Sequence, residues 1–290
     1  MNDLYGIDPL APSSLRDLSE LMRVFGPGEG RFIAEFPRDW FYELQQHMKN
    51  LSDIQQMAAV EMWLKVGKSA VLPTSARFNS AWTWNENAST LREHVVKLIG
   101  TARCPANLEP IDKVLIDPDG FPDARGGHIP RTAKAYAEAA RPLLQTSPKI
   151  VLIDPYFKLR YWDQRSAQFR PSDRHRKSLE ALLREAVAWR RVVCFKLALS
   201  KEQAMDCDDS GTVFKNDLQQ LAINCGATDI ELEYVLLNDK FSTDRHPRYL
   251  LGMHRGLHFD WGFDTGDPGS TNHIEWMGKS VLEPLLKRFT

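Results

Sequence analysis

No run in this 290-residue sequence approaches the roughly 18 consecutive apolar residues of a membrane-spanning helix, so no membrane association is expected. The opening MNDLYGIDPLAPSS lacks the basic and apolar regions of a secretory leader. Cysteine is scarce. Cys104, Cys194, Cys207 and Cys225 stand far apart with no C-x-x-C, which argues against a disulfide framework or a zinc ribbon and for reduced thiols in a cytoplasmic protein. Net charge is nearly absent, with 37 basic and 38 acidic side chains. That balance excludes a whole-protein basic footprint but leaves room for a local one. Neither a G-x-G-x-x-G after a strand nor a Walker A sequence occurs, and GPGEG at 26–30 is too short for either, so no nucleotide cofactor is expected.

What the chain does have is enough apolar content, 43%, for a substantial core, and a length that fits one large domain or two ordinary ones. Residues 1–30 are rich in Pro and Gly and read as an arm with one short helix. A strand at RFIAEF precedes helical patterns carrying Trp40, Phe41, Leu44 and Met48, then Ile54, Met57, Ala58 and Met62. Trp82 and Trp84 lie among Arg77, Asn79, Asn85 and Asn87. They either stack nucleotides or close a small helical core, and the second is the plainer reading. A further helix is expected over 90–99. The Pro- and Gly-rich stretch 101–128 encloses KVLID, read as a short strand, and marks the best domain boundary.

Beyond it, a buried strand at 150–153 and strands at 192–199 and 230–237 alternate with helices starting near Asp173 and Phe214. A hairpin follows at 248–251 and 257–263, and a final helix is expected from about Asn272. The expected fold class is therefore α/β: a mainly helical region over 1–105, then a domain over 106–290 with a mixed, largely parallel sheet flanked by helices.

Candidate chemistry concentrates in 244–275, which holds four of the eight histidines. A strand ending in Asp-Pro-Tyr (154–156), two helix-strand units, then His246-Pro247-Arg248-Tyr249 opening a hairpin whose return ends in Gly-Phe-Asp (262–264), resembles the phospholipase D-like superfamily. It is most similar to a divergent single-motif branch in which His-Asp-Arg replaces His-x-Lys, as in the phospholipase D-like C-terminal domain of eukaryotic MIT proteins. The resemblance covers about 110–290. It implies a metal-independent phosphodiesterase or nuclease, with His246 as nucleophile or general acid and Arg248 as phosphate clamp. It also implies a homodimer that pairs two His246 side chains, because the usual second motif is missing. Asp264 and Asn272 join the candidate catalytic set. Asn272 stands in GSTN, further from His246 than a Gly-Ser-x-Asn signature would be, while Asp260-Trp261-Gly262-Phe263 is the better positional match. A neutral imidazole can attack phosphorus and a guanidinium can hold phosphate, although Arg places its charge differently from Lys.

A local basic run supplies the candidate phosphate or nucleic-acid contacts Arg160, Arg165, Arg170, Arg174 and Lys177, with a solvated helix face as the plain alternative. For Arg248 the plain alternative is a salt bridge to Asp260 or Asp264, and for His246 a turn held by Asp244 or Asp239. Two further functional readings stay open. One keeps the fold and drops the chemistry, giving a phosphate-binding or protein-interaction module among other subunits, as in a phage-defence assembly. The other is a metal-dependent nuclease using Asp117 and Asp154, each at a strand end, although Asp-Pro there is ordinary turn chemistry. His254 and His258 have the spacing of zinc ligands but lack the Glu of H-E-x-x-H and flank a turn, so no metal site is expected.

Overall fold

The computed structural model describes residues 3–26, 29, 31–116, 126–201, 212–237, 248–253 and 255–289. The chain forms two compact units, Met1–Arg125 and Gly126–Thr290. The expected class, mixed α/β with a largely parallel sheet and flanking helices, is what the chain adopts: six of the ten pairings in the two main sheets are parallel. Among the described residues no helix is long and apolar enough to cross a membrane.

The first unit contains β1 (Asp3–Ile7), α1 (Leu15–Val24), β2 (Arg31–Glu35), α2 (Trp40–His47), α3 (Asp53–Met62), a single-turn α4 (Lys68–Ala70) and β3 (Val71–Pro73). α5 (Trp84–Leu91), β4 (Lys97–Gly100), β5 (Glu109–Pro110) and α6 (Ile111–Ile116) complete it. Its helices pack on an all-parallel sheet of order β3-β2-β1-β4-β5. The mainly helical reading of this region overlooked that sheet, because β3 and β5 are only three and two residues long and carry almost no periodicity of their own. KVLID is a correction too. Ile111 and Val114, three apart on α6, are both buried in the core around Tyr5, Leu21 and Trp40, which is helical spacing. β5 and α6 therefore belong to the first unit and move its end from 105 to 125. The expected helix over 90–99 lies earlier, at α5, where Thr83 and Glu86 form a capping box. Trp84 takes the plainer role: it is buried and its Nε1 donates to Phe36 O.

The second unit contains β6 (Gly126–Pro130), α7 (Ala133–Thr146), β7 (Lys149–Ile153), the hairpin β8 (Arg160–Asp163) and β9 (Gln168–Pro171), α8 (Asp173–Trp189) and β10 (Cys194–Ser200). Then come α9 (Thr212–Cys225), β11 (Glu231–Leu237), β12 (Tyr249–Leu251), β13 (Gly256–Phe259), β14 (Thr271–Trp276) and α10 (Lys279–Phe289). Seven strands run β11-β10-β7-β12-β13-β14-β6. β7, β10 and β11 are parallel, and β12, β13, β14 and β6 extend the sheet antiparallel from β7. The central apolar run Ile150–Ile153 is wholly buried because helices cover one face and α10 the other. The final helix starts at Lys279 and not near Asn272. Asn272, Ile274 and Trp276 are buried alternately with Thr271, His273 and Glu275, the two-residue period of a strand. Cys104, Cys194 and Cys225 are free thiols, and Cys207 lies outside the described residues.

Candidate functional site

The C-terminal end of β7 organises the site. Asp154 follows it and is 0% exposed. Its Oδ1 accepts the Tyr156 N–H and its Oδ2 the Phe263 N–H, each at 3.0 Å. One carboxylate thus turns the chain after β7 and fastens the turn after β13 to the same point. Gly262 is required there by close approach, since a Cβ would fall 2.7 Å from Asp154 Oδ2. Burial raises the Asp154 pKa above the ordinary carboxylate value, against the lowering by its two N–H donors and by Arg248.

Arg248 immediately precedes β12 and meets this carboxylate, with Nε 4.0 Å from Oδ1. Its Nη1 donates to the Asp260 carbonyl at 2.8 Å, and its guanidinium lies 5.3 Å from the centre of the Tyr156 ring. Arg248 is therefore bound at the hairpin to a backbone carbonyl and to Asp154, and among the described residues it pairs with neither the Asp260 nor the Asp264 carboxylate. Its Nε is buried and has no hydrogen-bond partner among the described residues. The carboxylate beside it is one whose ionised form burial disfavours.

Asp264 and Asn272 have structural tasks. Asp264 pairs with Arg131 at 2.6 Å, and Arg131 lies over the Trp261 ring. Asn272 is 0% exposed. It accepts from Trp261 N at 3.0 Å and donates to Trp261 O at 2.7 Å. A further contact reaches the Tyr136 hydroxyl, which lies 3.3 Å from Gly262 O and 3.2 Å from Asp264 O. Together these groups hold the 260–264 turn in shape around Asp154.

His175, on the first turn of α8, reads in sequence only as a member of the basic run. It is buried, packs edge-on against Phe157 at 5.1 Å, and its Nδ1 has no hydrogen-bond partner among the described residues. Burial pushes its pKa down to about 4; Asp264 opposes this while Lys158, Arg131 and Arg174 reinforce it. Nearby, a cleft of about 530 Å³ is lined by Arg131, Thr132, Lys177, Thr265 and Ser270. A cleft of about 690 Å³ in the first unit is lined mainly by apolar side chains such as Phe41, Met48, Ile54, Met57 and Leu64, and offers no comparable chemistry.

The basic run is not a free cationic track. Arg160 binds Asp217 through two nitrogens, Arg170 pairs with Asp163, Arg174 with Asp267 and Lys177 with Asp173. Of the five candidate contacts only Arg165 has no ion pair among the described residues. His246, Asp117 and His254 lie outside the described residues, as do Asp239 and Asp244. The pairing of Asp117 with Asp154 is thus not described, and Asp154 has both oxygens committed to backbone donors.

No family model matches this chain, and no curated protein matches it. Among solved structures it is similar to polyphosphate kinase from Porphyromonas gingivalis, at 12% identity and a TM-score of 0.34, over 57% of this chain and 25% of that one. It is also similar to TrmBL2, an archaeal chromatin protein described as binding DNA, at 13% identity and a TM-score of 0.30, over 61% and 56% of the two chains. The matched part thus spans a quarter of the kinase and just over half of TrmBL2, and likeness at this level assigns neither family nor activity.

Proposed function

We propose that the second unit is a phospholipase D-like domain that binds a phosphodiester at the junction of β7 and β12 and cleaves it without metal. The observation that carries this reading is Arg248: a mostly buried guanidinium at a strand end, lying over Tyr156, with an unpartnered Nε beside a carboxylate that burial weakens as a counterion. His246, two residues earlier in sequence, is the nucleophile. Its ring nitrogen forms a bond to phosphorus as the ester P–O bond breaks, and the departing oxygen takes a proton from a second acid. Water then cleaves the P–N bond and restores the imidazole. The second acid is His246 of another copy, which makes the active form a homodimer about a two-fold axis.

Nucleic acid is the proposed source of the diester. Because most of the basic run is already ion-paired, the contact is local to a few phosphates and its salt dependence is shallow. Hydrolysis of bis(p-nitrophenyl) phosphate and of single- and double-stranded DNA and RNA in EDTA tests the reading. Activity that persists in EDTA and disappears in both His246→Ala and Arg248→Ala is expected. Activity that needs Mg²⁺ and survives both changes overturns it.

A second reading, an inert phosphate-binding or interaction module within a larger assembly, is favoured by the structural commitment of Asp154, Asp264 and Asn272. It predicts phosphate-ester binding that depends on Arg248 with no hydrolysis of any of these substrates.

A further inference from the structure

The sheet of the second unit carries another cluster, on the face opposite that of Leu152 and Leu250. Register pairs Tyr249 with Ile153 and with His258, His258 with Glu275, and His273 with His128. Asp260 continues the ladder opposite His273, donating its N–H to His273 O at 3.1 Å. Residues two apart along a strand share a face, so His258, Asp260, His273, His128 and Glu275 project together from three neighbouring strands. α10 covers the part of this face around Ile153, Tyr249 and Leu251. The histidine part is open: His258 and His273 side chains are each 36% exposed and Asp260 48%.

Both imidazoles lie against one carboxylate. His258 Nδ1 is 3.8 Å from one oxygen of Asp260 and His273 Nδ1 3.4 Å from the other. The first is too long for a hydrogen bond. Tetrahedral zinc, bound by nitrogen and oxygen at about 2.0–2.1 Å, sets neighbouring ligand atoms about 3.3 Å apart. The His128 ring lies 5.1 Å from that of His273, tilted by 57°, within reach as a fourth ligand.

We propose that His258, Asp260 and His273, with His128 as fourth ligand, bind a divalent transition metal, zinc by preference. The two imidazoles flank opposite oxygens of one carboxylate, so both must rotate to face a shared ion, and their partly exposed positions leave room for that rotation. A tighter ligand group exists in Cys194, Glu231 and Glu233, whose ligand atoms all lie within 4.8 Å of one another. It already has a cation, because Lys196 Nζ is 3.1 Å from Glu233, and burial raises the Cys194 thiol pKa. Among the described residues no Lys or Arg forms an ion pair with the Asp260 carboxylate, although Arg248 is bound to the Asp260 carbonyl; the cluster joins the edge strand β6 to β14 and β13, so an ion there acts as a clip on that edge.

The test uses tag-free full-length protein stripped of metal and titrated with Zn²⁺ against a chromophoric chelator, with Co²⁺ substitution as a spectroscopic probe of coordination. One equivalent of Zn²⁺ binding at micromolar or tighter Kd is expected, with a tetrahedral Co²⁺ spectrum and a rise in Tm on loading. Asp260→Asn and His273→Gln should each weaken binding at least tenfold, and the double change His258→Gln/His273→Gln should abolish it. These half-exposed changes are checked for folding by circular dichroism without metal. Wild type binding no tighter than the double variant, or binding lost instead in Cys194→Ser, would overturn the proposal. The phosphodiester reading shares none of these side chains, so either can fail alone.

Discussion

Replacing Asp154 tests the architecture of the strand-end site directly. Asp154→Ala removes the acceptor of two buried backbone donors, Tyr156 N–H and Phe263 N–H, and leaves Arg248 without its nearest carboxylate. A buried donor left unsatisfied costs about 1–3 kcal/mol. The ionised carboxylate is itself penalised by burial, as its raised pKa indicates, and removing it returns part of that cost. The net loss expected is about 2–4 kcal/mol, a large share of the roughly 5–15 kcal/mol that stabilises a typical domain. Asp154→Asn retains one acceptor oxygen and should lose about half as much. Urea unfolding followed by tryptophan fluorescence reads the total. Hydrogen exchange of peptides spanning 154–157 and 260–264 reads the two anchors, and both should exchange faster in the order Ala, Asn, wild type. An Asp154→Ala protein within about 0.5 kcal/mol of wild type, with unchanged exchange at Phe263, would refute the shared-anchor geometry.

Acidification should destabilise the second unit through His175, which has a pKa of about 4 in the folded protein against 6.5 unperturbed. The unfolded chain therefore binds more protons between those values, so stability falls as pH drops from about 6.5 to 4, by up to about 3 kcal/mol. His175→Phe should flatten that part of the pH–stability curve, and an unchanged slope would contradict it. Asp154 acts in the opposite sense: its pKa is raised, so its burial cost is present at neutral pH and is relieved as pH falls through the folded value. Gly262→Ala should cost about 1–3 kcal/mol through overpacking against Asp154 Oδ2, measured by the same urea titration, with neutrality as the contrary result. Sedimentation equilibrium should give a dimer, and a monomer at concentrations where hydrolysis is measured would remove the second His246 from the mechanism.

How much of this was legible in the sequence depended on burial and locality. β7, α8, β10, α9 and β11 could be read in order because the buried strands β7 and β10 leave continuous apolar runs, the edge strand β11 keeps Tyr234–Leu237 apolar, and each helix shows its own stripe, such as Leu179, Leu182, Leu183 and Ala186 on α8. β14 could not, since Ile274, Met277, Val281 and Leu285 fit a helical repeat as well as Asn272, Ile274 and Trp276 fit a strand. β6 was hidden because Gly126-Gly127-His128 carries turn composition; its strand character comes from pairing with β14. The sheet of the first unit is built from short strands whose partners lie far away in sequence, which no local period reports.

The site divided the same way. The Asp154 strand end and Arg248 were legible as residues, but their meeting depends on the β7–β12 pairing. The basic run looked like a nucleic-acid track because its acidic partners, Asp217 and Asp267 among them, are remote in sequence. Asn272 and Asp264 stood out for their residue types, whereas their contacts give them the task of shaping the 260–264 turn.

The central claim is that a histidine and Arg248 perform phosphoryl chemistry without metal, and trapping the covalent intermediate tests it most directly. Protein incubated with a phosphorus-labelled diester in EDTA, quenched in base and digested, should carry acid-labile label on the peptide containing His246. The label should be absent in His246→Ala and strongly reduced in Arg248→Ala. Hydrolysis proceeding with no label on His246, or label unchanged by the loss of Arg248, would contradict the account.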